Sequence, residues 1–326
     1  ELLRTKDGRM LLARIEWECG HRDSALARLK GYTREFPGDE EFYSQLVAFY
    51  RELGQYAEVE QYALMRELIN PKSAAARIDL LQDYKRNHNT EQFQHSVDTI
   101  IRDFADDRNA LNLLANFGTE HGDAALALRV YRHMQQRNLE TDSTGLIVTE
   151  AYIVAGEYRA ALDFVGELGR AHPEWLQKYN AVLNGLQAIA SYGLGQHEEG
   201  DLYLGHFLKQ PDLRTANLTA IANRLIAIGA KAQARRVLAQ AVASDLRNQA
   251  ALTLLVELDL ERTPTDELSA NIRRLLTMRR PSPKVLRNAQ VRLSSDRFLF
   301  VSGRDDLLAA IQTALDHSPV PVGQAS

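Results

Sequence analysis

The stretch "YRELGQYAEVEQYALMRELINPKS", residues 50–73, decides the fold. It is one amphipathic run broken by Gly54 and ended seventeen residues later by Asn70-Pro71. The preceding stretch "ECGHRDSALARLKGYTREFPGD", residues 18–39, repeats the arrangement with Gly20 and Pro37. A glycine between two helical runs supplies the left-handed conformation that ends the first helix. A proline after the second run cannot continue it and biases the residue before it away from the helical region. The spacing therefore predicts helix, tight turn, helix, stop.

Stepping by 34 from Gly20 gives Gly54, His88, Gly122 and Gly156; after one shift of 39 comes Gly195, then Gly229 and Thr263. With 19 glycines in 326 residues, a column of eight holds about half a glycine by chance, and this one holds six. A fixed period of this length marks a repeat architecture. Five residues after each turn stand Ala25, Val59, Phe93, Ala127, Ala161, Gly200, Ala234 and Leu268, none charged. Seven before it stand Ala13, Val47, Leu81, Ala115, Thr149, Ala188, Ala222 and Val256, again small or apolar. Tyr50, Tyr84 and Tyr152 recur four before the turn, and Pro37, Pro71 and Pro173 seventeen after it. Between breaks the apolar residues keep helical spacing, as in Leu46, Val47, Tyr50 and Leu53. Asp39, Ser73, Asp107 and Ser143 stand where the next helix needs an N-cap. The small columns let paired helices approach closely.

Small at the eighth place, aromatic at the eleventh, Gly at the fifteenth, Ala at the twentieth and Pro at the thirty-second of a 34-residue unit resembles the tetratricopeptide repeat. The resemblance covers about residues 6 to 282 as eight units. It implies an all-α, right-handed α-solenoid of antiparallel helix pairs, a superhelix with a long concave groove. The third unit departs from the pattern at His88 and Ala105, and the eighth at Thr263-Pro264. A five-residue insertion around "PEWLQKYNAVLNG", near 174–180, implies a longer first helix in the sixth unit.

A stacked array needs its ends covered. "SPKVLRNAQVRL" and "RDDLLAAIQTAL" read as two further helices, with caps at Ser282 and Arg304-Asp305. The expected organisation is a solenoid over 1–282, capping helices over 283–317 and a disordered tail over 318–326. Between the capping helices "DRFLFVSG" is apolar and extended in character, and covers the last repeat.

Composition sets the class. With 45% hydrophobic and 25% charged residues the chain can fill a continuous core. A net charge of -4 with both signs interspersed speaks against nucleic acid, which needs clustered cations; Arg273-Arg274 and Arg279-Arg280 read as helix ends. The single cysteine, Cys19, excludes an internal disulfide and reads as a small apolar packing residue. No apolar run is long enough to span a bilayer, so direct membrane insertion is not expected. The chain opens at Glu1 in helical pattern without an initiator methionine, as an excised part of a longer protein would. A soluble segment is expected, cytoplasmic or periplasmic, including excision from a longer membrane-anchored protein. The excess of Arg over Lys and the abundance of Ala point to a GC-rich bacterial genome.

No glycine-rich phosphate loop, HExxH or CxxC occurs, and the nearest histidine pair, His88 and His95, straddles a turn. Asp106-Asp107, Glu198-Glu199 and Asp305-Asp306 fall at helix starts, where acidic residues complement the dipole. No catalytic residue, metal or cofactor is assigned. In the tetratricopeptide family the groove is lined by the second, fifth, ninth and twelfth places of each first helix, one face at steps of three and four. Here those places hold Arg14 and Trp17; Ser44, Ala48 and Arg51; Gln82 and Lys85; Asn109, Asn112 and Asn116; Glu150; Thr219 and Asn223; Thr253 and Glu257. Three asparagines on one stripe cost helix propensity and offer both donors and acceptors to an extended peptide backbone. Gln82, Asn112, Asn116 and Asn223 are the expected polar ladder. The Lys/Asn set by which some such domains clamp acidic chaperone tails is absent from any three consecutive units. The leading reading is a non-enzymatic scaffold for a protein or extended peptide. The alternatives are a self-association module, and the regulatory or substrate-selecting arm of an enzyme or envelope machine whose other domain is absent.

Overall fold

In the computed structural model, residues 5–211, 213–262, 265–279 and 281–317 are described. The Thr263-Pro264 turn, Arg280 and the tail from 318 onward lie outside them. The described residues are all-α, with helices in tandem and no strand. The chain divides into two compact units, Glu1–Ala155 and Gly156–Ser326.

The first unit holds α1 (Lys6–Glu18), α2 (Arg22–Glu35), α3 (Glu40–Leu53), α4 (Tyr56–Ile69), α5 (Ala74–Arg86), α6 (Thr90–Asp103), α7 (Arg108–Glu120), α8 (Ala124–Gln136) and α9 (Asp142–Ala155). The 34-residue step is literal: α3, α5, α7 and α9 start at 40, 74, 108 and 142, and α2, α4, α6 and α8 at 22, 56, 90 and 124. Gly54 has φ 70°, its N–H donates to the Arg51 carbonyl at 3.1 Å, and the Gln55 N–H reaches back to Tyr50 at 3.0 Å. That is the Schellman closure, which satisfies the last carbonyls of α3 while turning the chain. His88, in the glycine column, takes the same conformation at φ 54°, with its N–H on Lys85 and that of Asn89 on Tyr84. After α8 no proline stops the helix. Asn138, at φ 56°, closes it the same way.

The two small columns are the seam of the unit. Ala13, Val47, Leu81, Ala115 and Thr149, with Ala25, Val59, Phe93 and Ala127, are all buried. Gly118 shows why size matters there: a Cβ on it would stand 2.9 Å from the Asp123 carbonyl and 3.1 Å from the Ala127 nitrogen, both backbone atoms. The side chains of Asp39, Ser73 and Asp107 accept from N–H groups of α3, α5 and α7 as expected, a contribution of about 1 kcal/mol each. Ser143 does not cap α9, because it lies inside the helix; the Thr141 hydroxyl takes the Thr144 N–H at 3.2 Å. Arg66 on α4 is 4% exposed, and its guanidinium pairs with Asp79 of α5 and, at 3.0 Å, with Glu40 of α3. Burial alone would raise the Glu40 carboxyl, but hydrogen bonds from Ser73, Asn70 and Arg66 hold it below the usual range.

The second unit holds α10 (Tyr158–Ala171), α11 (Pro173–Lys178), α12 (Asn180–Gly193), α13 (His197–Leu208), α14 (Thr215–Ala227), α15 (Lys231–Ser244), α16 (Gln249–Leu260), α17 (Asp266–Leu276), α18 (Pro283–Leu293) and α19 (Arg304–Asp316). The insertion does not lengthen a helix. It makes the separate α11, opened by Pro173 at its first turn and divided from α12 at Tyr179. Ala161, Ala188, Ala222, Ala234, Val256 and Leu268 fill the seam. α18 packs on α16 and α19 on α17, burying Leu286, Leu293, Leu307 and Ile311. Ser282 precedes α18 without a side-chain cap bond, and Gly303, not Arg304-Asp305, stands at the cap of α19. The stretch between these helices is not extended. Asp296–Phe298 forms a 3-10 turn that buries Phe298 and Val301 while Phe300 is left 98% exposed.

Candidate functional site

The face read from the first helices is assembled within each unit separately. In the first, a cavity of about 570 Å³ lies between α1 and α3, lined among others by Met10, Arg14, Trp17, Ser44, Ala48 and Glu52. Its floor is aromatic. Trp17 is buried and stacks on Phe49, ring centroids 3.9 Å apart and planes 5° apart. The indole N–H donates to Glu52 Oε2 at 2.7 Å, so Trp17 offers a partner apolar surface and no free donor. Arg14 is exposed on the wall, its Nε donating to Gln45 Oε1 at 2.8 Å.

Further along, Arg51 reaches Asp79 Oδ1 at 3.1 Å, which joins it to the Arg66 network. Gln82 is half-buried on α5. Lys85 donates to the His121 carbonyl at 3.2 Å and lies 3.6 Å from Asp123. Burial and the Lys85 cation together push the His121 imidazole below its ordinary pKa, which favours the neutral ring.

The three asparagines of α7 do not share one role. Asn109 is exposed at the N-terminus of the helix, beside a larger cavity of about 1190 Å³ among the inter-pair turns. Asn116 is exposed. Asn112 is half-buried and its Oδ1 accepts from Thr144 of α9 at 2.8 Å, tying two neighbouring first helices together. Glu150 is half-buried on α9. In the second unit Asn223 is exposed on α14, Glu257 is half-buried on α16, and the hydroxyls of Thr219 and Thr253 donate to carbonyls of their own helices. Of the expected ladder, Gln82, Asn112 and Asn116 belong to the first unit and Asn223 to the second.

Sequence reasoning did not single out Glu52, Gln45 or Asp79, each the partner of a residue it did. Their signal is the repeat itself: Trp17 and Glu52 are 35 residues apart, Arg14 and Gln45 31. Cys19, expected to pack, is exposed at the end of α1. Among the described residues no group of His, Cys, Asp and Glu is placed to hold a metal ion, and no helix is long and apolar enough to cross a membrane.

These features define an all-α protein of tandem helix pairs on a 34-residue step. No protein-family model and no curated protein matches the sequence. Among solved structures it is similar to a tetratricopeptide repeat protein from Parabacteroides merdae, at 14% identity over 77% of this chain and 97% of that one, TM-score 0.44. PilW, a widely conserved type IV pilus biogenesis factor, is similar at 14% identity over 76% of this chain and 96% of that one, TM-score 0.36. A structure of Naa15/Naa10 bound to HypK-THB is similar at 13% identity, TM-score 0.33; the match covers 94% of this chain and 51% of that one.

Proposed function

We propose that the protein is a non-enzymatic scaffold that holds an extended segment of a partner protein along the first helices of its first unit. The observation that carries this reading is the cavity between α1 and α3, where an apolar Trp17–Phe49 floor is ringed by Arg14, Ser44 and Glu52. An apolar floor with a few polar groups around it is the usual make-up of a recognition site. Exposed Asn116 supplies a free donor and acceptor on α7, where Asn112 has given its carbonyl to Thr144. No residue here is assigned a catalytic role.

The test is a pull-down from the source cell with the whole chain, followed by affinity measurement on the captured partner. Ala48→Trp, which fills the cavity, and Asn116→Ala should each weaken binding at least tenfold with the circular dichroism spectrum unchanged. Gln61→Ala, on the exposed face of α4, should leave it alone. Equal affinity in all three would remove the proposal.

A further inference from the structure

The cavity between α1 and α3 has a charge pattern as well as a floor. Contacts across it run in the same order on both helices: Arg14 of α1 bonds Gln45 of α3, and one turn on Trp17 bonds Glu52. The two helices are therefore parallel, and their C-terminal ends close the same end of the cavity. Glu18 is the last residue of α1 and Glu52 the last but one of α3, and both line it. Helix C-termini carry partial negative charge and favour cations. α1 has no basic residue in its last turn, and Arg51, in the last turn of α3, is paired with Asp79. Two carboxylates at this end oppose the local electrostatic preference of both helices, a conflict that proteins accept at functional sites.

The cations nearby leave these carboxylates in excess. Glu41, a third carboxylate of the lining, has Lys6 at 3.1 Å. Arg22 stands 5.3 Å from the Trp17 ring centroid and outside the lining. Arg14 is the cation of the described lining, and its Nε donates to Gln45. Glu18 has no ion pair among the described residues. Glu52 accepts from the neutral indole N–H, so it keeps its charge. Beside them the surface is apolar, made by Met10, Ala48 and the stacked Trp17 and Phe49.

An aliphatic side chain would fit this floor and leave the carboxylates without a counter-charge, and an acidic one would be repelled. A lysine or arginine satisfies both features, because its methylene stem lies along apolar surface while its charged head stays at the wet rim. Resting on the reading of this cavity as the recognition site, we infer that it takes a lysine or arginine side chain of the partner segment, stem on the Trp17–Phe49 floor and head at Glu18 and Glu52. Charge complementarity of this kind selects partners more than it tightens them.

The experiment uses the full chain and a set of blocked peptides, acetyl-Ala-Ala-X-Ala-Ala-amide, with lysine, arginine, norleucine or glutamate at X. Each is titrated to about 10 mM, the range suited to one small contact, while the Trp17 indole N–H resonance is followed by NMR. Trp175→Phe assigns that resonance, since the chain has two tryptophans. The lysine and arginine peptides should bind about fivefold tighter than the norleucine peptide, as for contacts with two exposed carboxylates, and the glutamate peptide weakest. Glu18→Gln combined with Glu52→Gln should abolish that advantage with the circular dichroism spectrum unchanged, because both side chains are exposed and glutamine still accepts from the indole. Salt at about 0.5 M should shrink it as well. Equal binding of the norleucine peptide, or tightest binding of the glutamate peptide, overturns the inference and leaves the cavity a recognition site of another preference. No response to any peptide, with Ala48→Trp still weakening partner capture, overturns the inference alone; no response with capture unaffected by Ala48→Trp removes the recognition site too.

Discussion

The helix pairs α5–α6 and α7–α8 follow one 34-residue frame with different chemistry at two of its places. α7 sets Phe117 against Phe93, whereas α5 sets a carboxylate, Asp83, at the same place, fully buried. The pair α7–α8 turns on Gly122 at φ 63°, whereas α5–α6 turns on His88 at φ 54°. Both nonetheless share one backbone course, because the buried columns around Leu81 and Phe93, and around Ala115 and Ala127, close the seam in either case. A repeat thus tolerates a strained turn and a buried charge if its seam and its closing hydrogen bonds are kept. What it gives up is stability, and α5 compensates through ion pairs to α3 and α4.

Arg66→Met tests that compensation and should have the largest effect. It removes the cation that Glu40 and Asp79 share, leaving two carboxylates with fewer partners. Breaking a fully buried pair costs about 3–5 kcal/mol; since both carboxylates reach water, a loss of about 2–3 kcal/mol in chemical denaturation is expected. The matching change beside α7–α8, Arg129→Met, breaks the exposed pair with Asp98 and should cost under about 0.5 kcal/mol. Equal losses would mean the network contributes no more than a surface pair.

Asp83→Asn should have the opposite sign. Burial holds the Asp83 carboxyl above its ordinary pKa, and although Arg86 Nη1 stands 2.8 Å away, neither carboxylate oxygen accepts a well-directed hydrogen bond. A folded-state pKa above the unfolded one gives stability that is present below the unfolded value and lost as pH rises through the folded one. At pH 7 the native protein therefore carries an unfavourable buried charge that asparagine removes. Arg86, partly exposed and stacked 3.8 Å over Tyr56, keeps other partners. Thermal unfolding at pH 7 should rise by about 2–4 °C, as for a gain on the order of 1 kcal/mol. The gain should shrink below about pH 4, where the unfolded carboxyl is protonated as well. Glu40, held low, behaves conversely, and its contribution fades as pH falls through its folded value. A lower midpoint for Asp83→Asn at every pH would show that the ion pair with Arg86 outweighs the burial.

The frame was legible because its punctuation is: Gly54 readily takes the left-handed cap that ends a helix, and Pro71 cannot continue one. His88 was not, since nothing in a histidine signals the left-handed region; only the hydrogen bonds from His88 and Asn89 back to α5 impose it. The break at Tyr179 carries no glycine or proline either, so one long helix and two short ones read alike. For the cap of α9, Thr141 and Ser143 both offered hydroxyls, and only the reach of Thr141 to the Thr144 N–H decides. The site was legible as a face and not as a set of free groups. Asn112 is committed to Thr144, 32 residues on, and Trp17 to Glu52, 35 residues on; both are partnerships of neighbouring pairs that no single helix stripe displays.

The smallest effect concerns the two turns. His88 pays for its positive φ in contact between Cβ and backbone, about 1–2 kcal/mol, while glycine at the same place loses about 0.5–1 kcal/mol in chain entropy. His88→Gly should therefore stabilise by about 0.5–1 kcal/mol. The reciprocal Gly122→His in α7–α8 should destabilise by a similar amount, because a side chain there takes on the strain of φ 63° while its Cβ meets nothing closer than an ordinary contact with Val154 at 3.9 Å. The double swap should come out near zero or slightly negative, and any departure from the sum of the single changes reads the coupling between the turns through Lys85, whose carbonyl takes the His88 N–H and whose ammonium donates to the His121 carbonyl. If His88→Gly destabilises instead, the imidazole is making a contact that outweighs the strain, and the two turns are no longer versions of one motif.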